Sequence, residues 1–208
     1  MEKVTDSNDC ELKDNQLLGA PKLVNTTITF YGKGNILYCQ KGVKLMNSAL
    51  NFMGDHSIIF LCANRGGYLL GIQIYHNSVV YIGADNYMVN GRVNISVSEQ
   101  QNVLIGNDGM YSFDCWLRTA DPHLLYDSNT HKRINYSKSI LIGDHVWLGQ
   151  HVYILKGSTL GSGCIVGAGG IVSGKTLESN AVYAGNPVKR VRQDVFFTGA
   201  CVHAYQEE

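Results

Sequence analysis

Three groups of side chains in this 208-residue chain could carry chemistry. The first is His123, in Asp121-Pro122-His123, inside the polar stretch RTADPHLLYDSNTHKRINYSKS at residues 118–139. With an unperturbed pKa of about 6.5, an imidazole can accept a proton near neutral pH. Asp121 could orient that ring or simply cap a turn before Pro122, and from sequence the two readings weigh equally. The second group is His145 and His151, six apart, which would stack on equivalent positions of successive repeats and so invite a metal-site reading. The third is Lys189, Arg190 and Arg192 after the turn AGNP, a basic cluster suited to phosphate. Each has an ordinary alternative. A loop histidine on its own is usually a solvated side chain, and two spaced histidines without a third partner are exposed-face residues. A basic run is most often a solvated face.

The elements that must position these groups are written in a period. Ile142, Leu148, Ile154, Leu160, Val166 and Val172 stand six apart, and Gly follows Ile142, Leu148, Leu160 and Val166. A period of six suits neither a helix nor a lone strand; it is that of a β-solenoid, in which each rung is a short strand plus a tight corner. The aliphatic residue points inward, and stacked rungs bury one continuous column. The Gly beside it is expected to supply a backbone conformation that a Cβ would resist. Residues 140–177 make six such rungs, two triangular turns if three rungs close a coil.

Ile105-Gly106, Tyr111 and Leu117 hold the same hexad before residues 118–139 break it. A stacked coil has no room for an insertion, so that segment must loop outward, and loops on a rigid scaffold are where chemistry sits. Upstream, from Leu23 to Leu104, pieces such as TITFYG, NILYC, SIIFLC and SVVYIG read as degenerate rungs at irregular spacing. Residues 1–22 read as a polar tail or arm, and 23–177 as the solenoid domain. Residues 178–208 read as a segment leaving through AVYAGNPVKRVR, with FFTGACVHAYQEE a short appendage of helical character.

Composition bounds the rest. With 17 basic and 17 acidic side chains the net charge is zero, so no global field recruits nucleic acid or an anionic membrane. The opening MEKVTDSNDCELKDNQ has no apolar core of a signal peptide, and no run is long enough to span a bilayer. A cytoplasmic protein with reduced thiols is the expectation, its six cysteines being scattered without a CxxC pair and Cys164 standing at an interior rung position.

The extruded D-x-H, INxxKxIxIGDHVWLG, ILKGSTLGSGCIVGAGGIV and AGNPVKRVR, in this order and at this spacing, resemble the hexapeptide-repeat acyltransferases. More narrowly they are similar to the capsular polysaccharide branch, which includes the polysialic acid O-acetyltransferases. The resemblance is strong over residues 105–192 and weak over 23–104. It implies an all-β, left-handed parallel β-helix that assembles as a homotrimer with active sites between subunits. It also implies acetyl-CoA as co-substrate, with no metal, and a saccharide acceptor. In the family's pattern His123 is the general base, although Leu124 follows it where the family often has Pro. Trp147 matches a Trp near the acetyl group, as oxyanion donor or cleft wall. Gln150 and Ala168 match pantetheine contacts, Ser173 and Lys175 the next contacts, and Pro187 a packing position for adenine. Lys189, Arg190 and Arg192 would meet the nucleotide phosphates, and Trp116 would pack near the acceptor entrance. Zinc-type carbonic anhydrases of this repeat class use three histidines across a subunit boundary, two of them close in sequence, and His145-x5-His151 lacks the matching partner.

The function implied is transfer of an acetyl group from acetyl-CoA to a hydroxyl of a bacterial surface saccharide, such as a capsular polysaccharide or polysialic acid. Attack would be direct, since no Cys or Ser adjoins His123 in sequence. An amino-sugar N-acetyltransferase is the enzymatic rival; no GxGxxG precedes the solenoid, which favours O-acetylation. A non-catalytic assembly solenoid is the third reading, and the single D-x-H insertion speaks against it.

Overall fold

The hexad closes into triangular coils. The computed structural model describes residues 1–8, 11–88 and 91–204. Strands of two to five residues alternate among three faces, each a parallel ladder along the coil axis. Face A stacks Thr27–Phe30, Ala49–Phe52, Leu70–Ile74, Val93–Val97, Trp116–Arg118, Tyr153–Leu155 and Ile171–Ser173. Face B stacks Gln16–Leu18, Ile36–Cys39, Ile58–Leu61, Val79–Ile82, Asn102–Ile105, Ile140–Ile142, Thr159–Leu160 and Thr176–Leu177. Face C holds Lys22–Val24 and Lys44–Met46, then Met110–Tyr111, Trp147–Leu148, Ile165–Val166 and Ala181–Ala184. Single bridges at Leu45–Tyr68 and Tyr87–Met110 continue it between.

The six aliphatic residues of the hexad are all buried, as are Ile105, Tyr111 and Leu117. Leu141 pairs with Thr159 and Tyr153 with Ile171, so one coil is three hexads. The upstream half obeys a longer rule. Thr27 pairs with Ala49, Leu70 with Val93 and Asn94 with Trp116, a coil of 22 or 23 residues. The irregular spacing expected there is irregular only when read six at a time. Wider coils admit larger side chains inside, and Phe30 stacks on Phe52 with ring centres 4.6 Å apart. At one corner Asn35 ties coils together, taking its amide to Asn15 Oδ1 (3.0 Å) and Gly54 O (2.9 Å) while its own Oδ1 receives Ser57 N–H at 2.9 Å. These bonds satisfy donors and acceptors that the coil interior would otherwise leave unpaired.

Four sequence expectations change. Among the described residues, 1–8 and 11–22 form the first coil and not a tail: Gln16–Leu18 pairs in parallel with Ile36–Cys39, and Glu2–Val4 pairs antiparallel with Thr27–Phe30. A polar outer face disguised this coil, whose inward Val4 is buried. The helix of strands also continues past Leu177, through Ala181–Ala184, and the chain then doubles back antiparallel along Lys189–Gln193. The Gly after a core aliphatic is not left-handed, and at Gly143, Gly149 and Gly161 it serves close approach. A Cβ on Gly143 would lie 2.7 Å from Ser162 N, and one on Gly149 2.6 Å from Ala168 N, in the next coil. Left-handed residues come two positions later, at His145 (φ 54°), His151 (φ 55°), Gly163 (φ 72°) and Gly169 (φ 68°). His145 and His151 are therefore consecutive corners of one coil. His145 N bonds Asn107 O and His151 N bonds Phe113 O, so the two rise in separate columns and do not stack. The appendage has one 3-10 turn, Val202–Ala204, its last four residues lying outside the described ones. Cys39, Cys62, Cys115 and Cys164 are buried and Cys201 exposed, all free thiols, with Cys10 outside the described residues.

Candidate active site

The insertion leaves the coil at the edge between faces A and B and returns to the same point, where Lys138 N–H donates to Thr119 O at 3.0 Å. It is a built loop. Asp127 Oδ1 accepts from Thr130 N (2.7 Å), Thr130 Oγ1 (2.9 Å) and Asn129 N (3.0 Å), and the Thr130 backbone N–H, foremost among these donors, holds the Asp127 carboxyl below its usual range. Tyr126 bridges Arg133 across the resulting turn.

The centre of the loop is Asn135, which is buried. Its Nδ2 donates to His123 O (2.7 Å) and Asp121 Oδ2 (3.0 Å), while its Oδ1 accepts from Leu125 N (2.9 Å) and Arg133 Nε (3.3 Å). One amide thus pins the main chain at His123 and Leu125 and the Asp121 carboxylate just before them. Glu99, from the preceding A–B corner, anchors the return limb by accepting from Ser137 Oγ (2.5 Å) and Arg133 (2.7 Å). Its carboxyl is held below the ordinary value, chiefly by Ser137.

Asp121 neither orients the imidazole nor caps the turn. Its Oδ2 accepts from Lys156 Nζ at 2.5 Å as well as from Asn135, and the Lys156 bond is the main cause of its lowered pKa. Asp121 thus fastens the loop to the next coil, a role within the hydrogen-bond reach of Lys156 and invisible in D-x-H itself. The His123 side chain stays exposed, and its ring forms no hydrogen bond among the described residues.

Trp147 lies outward on face C, 37% exposed, in register between Met110 and Ile165. Within one chain it does not meet His123: one side chain belongs to a face, the other to the loop at the opposite edge of face B. Beside Trp147, Phe197 of the appendage stacks on His145 with ring centres 4.0 Å apart and lies 5.7 Å from the indole. His145 Nε2 pairs with Phe197 O (2.9 Å) and Nδ1 with Asp108 Oδ2 (2.8 Å). Two acceptors around one ring favour the imidazolium, so its pKa is raised, first by the Phe197 carbonyl and then by Asp108. Arg65 holds Asp108 from the other side at 2.6 Å. Among the described residues no group of three or more His, Cys, Asp or Glu could hold a metal ion.

The remaining expected contacts fall on the edge between faces C and A and at the end of the coil. Gln150 and Ala168 are exposed at successive levels of that edge, where Gly169 N–H donates to Gln150 O at 2.7 Å. A Cβ on Gly169 would meet nothing within 4 Å, so a narrow open strip runs there. Pro187 lies exposed beyond it, in a cis Asn186–Pro187 turn. Ser173 and Lys175 sit on the A–B side, Lys175 Nζ reaching Val188 O at 3.0 Å. Lys189 and Arg192 are exposed and unpaired by acids among the described residues, whereas Arg190 is paired with Glu178. Trp116 is half-buried on face A beside Asn94 and Tyr153. Sequence reasoning missed Glu99, Asn135, Lys156 and Phe197 as supports; Asn135 and Lys156 lie inside the quoted motifs INxxK and ILKG, and that was their only signal.

A family model described as "Bacterial transferase hexapeptide (six repeats)" matches residues 139–174, the tract of pure 18-residue coils. Over this tract the chain carries the hexapeptide repeat of that family. The hexapeptide-repeat fold is thus the left-handed parallel β-helix. Its sequence is similar to the polysialic acid O-acetyltransferase of Neisseria meningitidis, 29% identical over 131 residues, 62% of this chain and 60% of that protein. The polysialic acid O-acetyltransferase of Escherichia coli O1:K1 / APEC is 42% identical over 101 residues, 49% of this chain and 33% of that protein. The matched stretch thus spans less than two thirds of either relative. Among solved structures, the polySia-specific acetyltransferase NeuO superposes with a TM-score of 0.78 at 28% identity, covering 92% of this chain and 90% of that one. The polysialic acid O-acetyltransferase OatWY gives a TM-score of 0.76 at 26% identity with the same coverage, 92% and 90%. The fold likeness therefore extends over the N-terminal coils, where the sequence motifs fade.

Proposed function

We propose that this protein is an acetyl-CoA-dependent O-acetyltransferase acting on a bacterial surface saccharide of the polysialic acid kind, in the cytoplasm where the thioester is made. The observation that carries the reading is the loop. Its polar groups are spent on holding the main chain around His123, and the imidazole is left exposed at the end of a rigid arm. In the proposed step His123 takes the acceptor hydroxyl proton as that oxygen attacks the thioester carbonyl. The C–S bond then breaks, and the thiolate recovers the proton from the imidazolium. Such base catalysis contributes roughly 10²–10⁴ in rate. The indole N–H of Trp147 would donate to the oxyanion, a contact worth about 10²–10³. The strip at Gln150 and Ala168 would seat the pantetheine arm, with Ser173 and Lys175 as further contacts across face A. Pro187 would face the adenine, with Lys189, Arg190 and Arg192 at the phosphates. Burial disfavours the thiolates of Cys164, pushed up to about 12, and Cys115, pushed up to about 11, as nucleophiles.

A homotrimer completes the site. Face B carries an outward apolar column, Leu18, Tyr38, Phe60, Tyr81, Leu104 and Leu141, in continuous register. Leu104 is 37% and Leu141 42% exposed in one chain, and a contiguous apolar surface of this length marks an interface. Three copies related by a closed rotation with face B inward set the A–B edge of one against the B–C edge of the next. His123 would then approach the neighbour's Trp147, which its own chain holds away.

The test is coenzyme A release from acetyl-CoA against a panel of saccharides that includes polysialic acid. Acceptor-dependent release is expected, with a loss above about a hundredfold in His123→Ala while coenzyme binding persists. Equal release by both proteins would remove His123 from the chemistry.

A further inference from the structure

The outer side of face A mixes polar and apolar residues, where that of face B carries an apolar column. Its register aligns Ala49, Gly71, Asn94 and Trp116 in one outward column and Asn51, Gln73, Ser96 and Arg118 in the next. Gly71 leaves room for the Arg92 stem and the Asn94 amide to lie over it, and a groove lined by Arg92, Asn94 and Trp116 runs there. A second hollow, lined by Gln73, Ser96 and Arg118, is closed at its far side by Asp121 and Pro122 of the catalytic loop. The two share Gln73 and Ser96. They form one trough that ends at Asp121, Pro122 and Leu124, the residues flanking His123.

Charge on this trough is unbalanced. Glu99 is committed to Arg133 and Ser137, and Asp121 to Lys156 and Asn135. Neither Arg92 nor Arg118 forms an ion pair among the described residues. Arg92 spends one donor on Asn47 O at 2.6 Å. The Nε of Arg118 is buried without any hydrogen-bond partner, a state that costs free energy unless a ligand supplies the acceptor. Guanidinium forks match carboxylates in pairs of parallel bonds. The Asn and Gln amides offer donors and acceptors together, as sugar hydroxyls require, and Trp116 offers a flat apolar face. From Asn51 to Arg118 the trough crosses three inter-strand steps, about 14 Å at ~4.8 Å each, room for several sugar units in a row.

We propose that this trough is a remote acceptor subsite for an extended, carboxylate-bearing saccharide chain, with Arg92 and Arg118 as its anion contacts and Trp116 as its stacking wall. The proposal rests on the acetyltransferase reading above and adds selection for an acidic polymer over a single sugar. Distal units held along face A would place the reacting unit at the loop, so affinity rises with chain length until the trough is filled. A neutral polymer leaves both guanidinium groups without partners and is discriminated against.

The test measures binding and transfer separately. Purified full-length protein is titrated by calorimetry, without acetyl-CoA, with size-fractionated polysialic acid, with its dimer, and with dextran of matched length. Wild type is expected to bind the long acidic chain well above its dimer and to ignore dextran. Arg92→Gln and Arg118→Gln are each expected to raise the polymer Kd at least tenfold while coenzyme A binding, the check on folding, persists. Lys41→Gln removes the same charge from an exposed turn elsewhere and should leave polymer binding unchanged. Arg92 is exposed, so its variant carries the test if Arg118→Gln does not fold. Polymer binding by Arg92→Gln equal to wild type, equal binding of dextran, or no polymer binding at all overturns the trough. If transfer to saccharide continues in that case, the acetyltransferase reading stands alone. Tenfold losses in binding without transfer to any acceptor uphold the trough and remove the acetyltransferase reading.

Discussion

Asn135→Ala isolates the positioning of His123 from the stability of the coil. The side chain makes two donated and two accepted hydrogen bonds, to Asp121, His123 O, Leu125 N and Arg133 Nε. At about 1 kcal/mol for each bond, roughly 3–4 kcal/mol of local loop order is removed, equivalent to ~10²–10³ in the fraction of loops correctly closed. Misplacing a catalytic group by about 1 Å costs on the order of 10² in rate. Saccharide-dependent kcat should therefore fall about a hundredfold. Global stability should hardly change, because the insertion lies outside the stacked coils and opens before them. The expected shift in Tm is under ~2 °C, since about 1 kcal/mol corresponds to 2–4 °C at this size. Coenzyme A affinity should stay at the wild-type value, because the strip proposed for its pantetheine arm lies on the C–A edge. Steady-state kinetics, calorimetric titration and thermal melts on one preparation decide the matter. Activity within threefold of wild type would show that the loop does not depend on this amide. A Tm loss of ~8 °C or more would show that Asn135 belongs to the coil's own core. Either outcome refutes the reasoning. Asn135→Asp keeps acceptors but loses both donors and sets a charge beside Asp121, so it should be no better than Ala.

Three further outcomes follow from the geometry. Gly143→Ala must push its Cβ against Ser162 N, 2.7 Å away in the next coil, and should cost roughly 1–3 kcal/mol. Gly169→Ala meets nothing within 4 Å and should cost only the left-handed strain, about 1–2 kcal/mol; urea midpoints showing the reverse order would undo the close-approach account. His145→Asn should destabilise most in acid. The folded pKa of His145 is raised, so its contribution is fully present below about pH 6.5 and lost as pH rises through the folded value. At 37% side-chain exposure the screened difference is at most about 1 kcal/mol, read as a wild-type minus variant gap in Tm that shrinks between pH 5.5 and 8.5; a constant gap would show that the imidazolium does not hold Phe197. Leu104→Lys on face B should convert the proposed trimer to monomer in sedimentation velocity and abolish transfer while the β-rich circular dichroism spectrum persists; an unchanged sedimentation coefficient would place the interface elsewhere.

What the sequence disclosed depended on whether the signal was periodic. Ile142 to Val172 revealed the coil because one inward side chain per six residues must be aliphatic, and the D-x-H insertion stood out as the break in that rhythm. The N-terminal coils hid because their sides vary in length and only whole coils repeat. Asn25 and Asn47, 22 apart, both left-handed and joined by a 2.8 Å side-chain bond, are the trace that a search at the coil period would have found. Composition alone does not say whether a Gly is needed for its φ or for the space above it, and in this protein Gly143 and Gly169 divide those duties. Asn135 and Lys156 meet Asp121 across 14 and 35 residues, so their partnership arises only when the loop folds back on the next coil. The role of Phe197 is set by where an appendage comes to rest, for which sequence holds no period at all.

The ends of the coil stack have a consequence for solubility. Glu2–Val4 runs antiparallel at the first level of face A, and Lys189–Gln193 runs antiparallel at the last level of face C. A parallel triangle of strands is otherwise an open template, since its terminal N–H and C=O groups could accept another coil and seed a fibre. Reversing one side at each end spoils the template. A second molecule stacked end-on meets one strand of the wrong direction, and at the far end also the charges of Lys189, Arg190 and Arg192, so its three sides cannot all pair at once. Growth along the axis is thereby blocked, and sideways association is the route left open to this molecule.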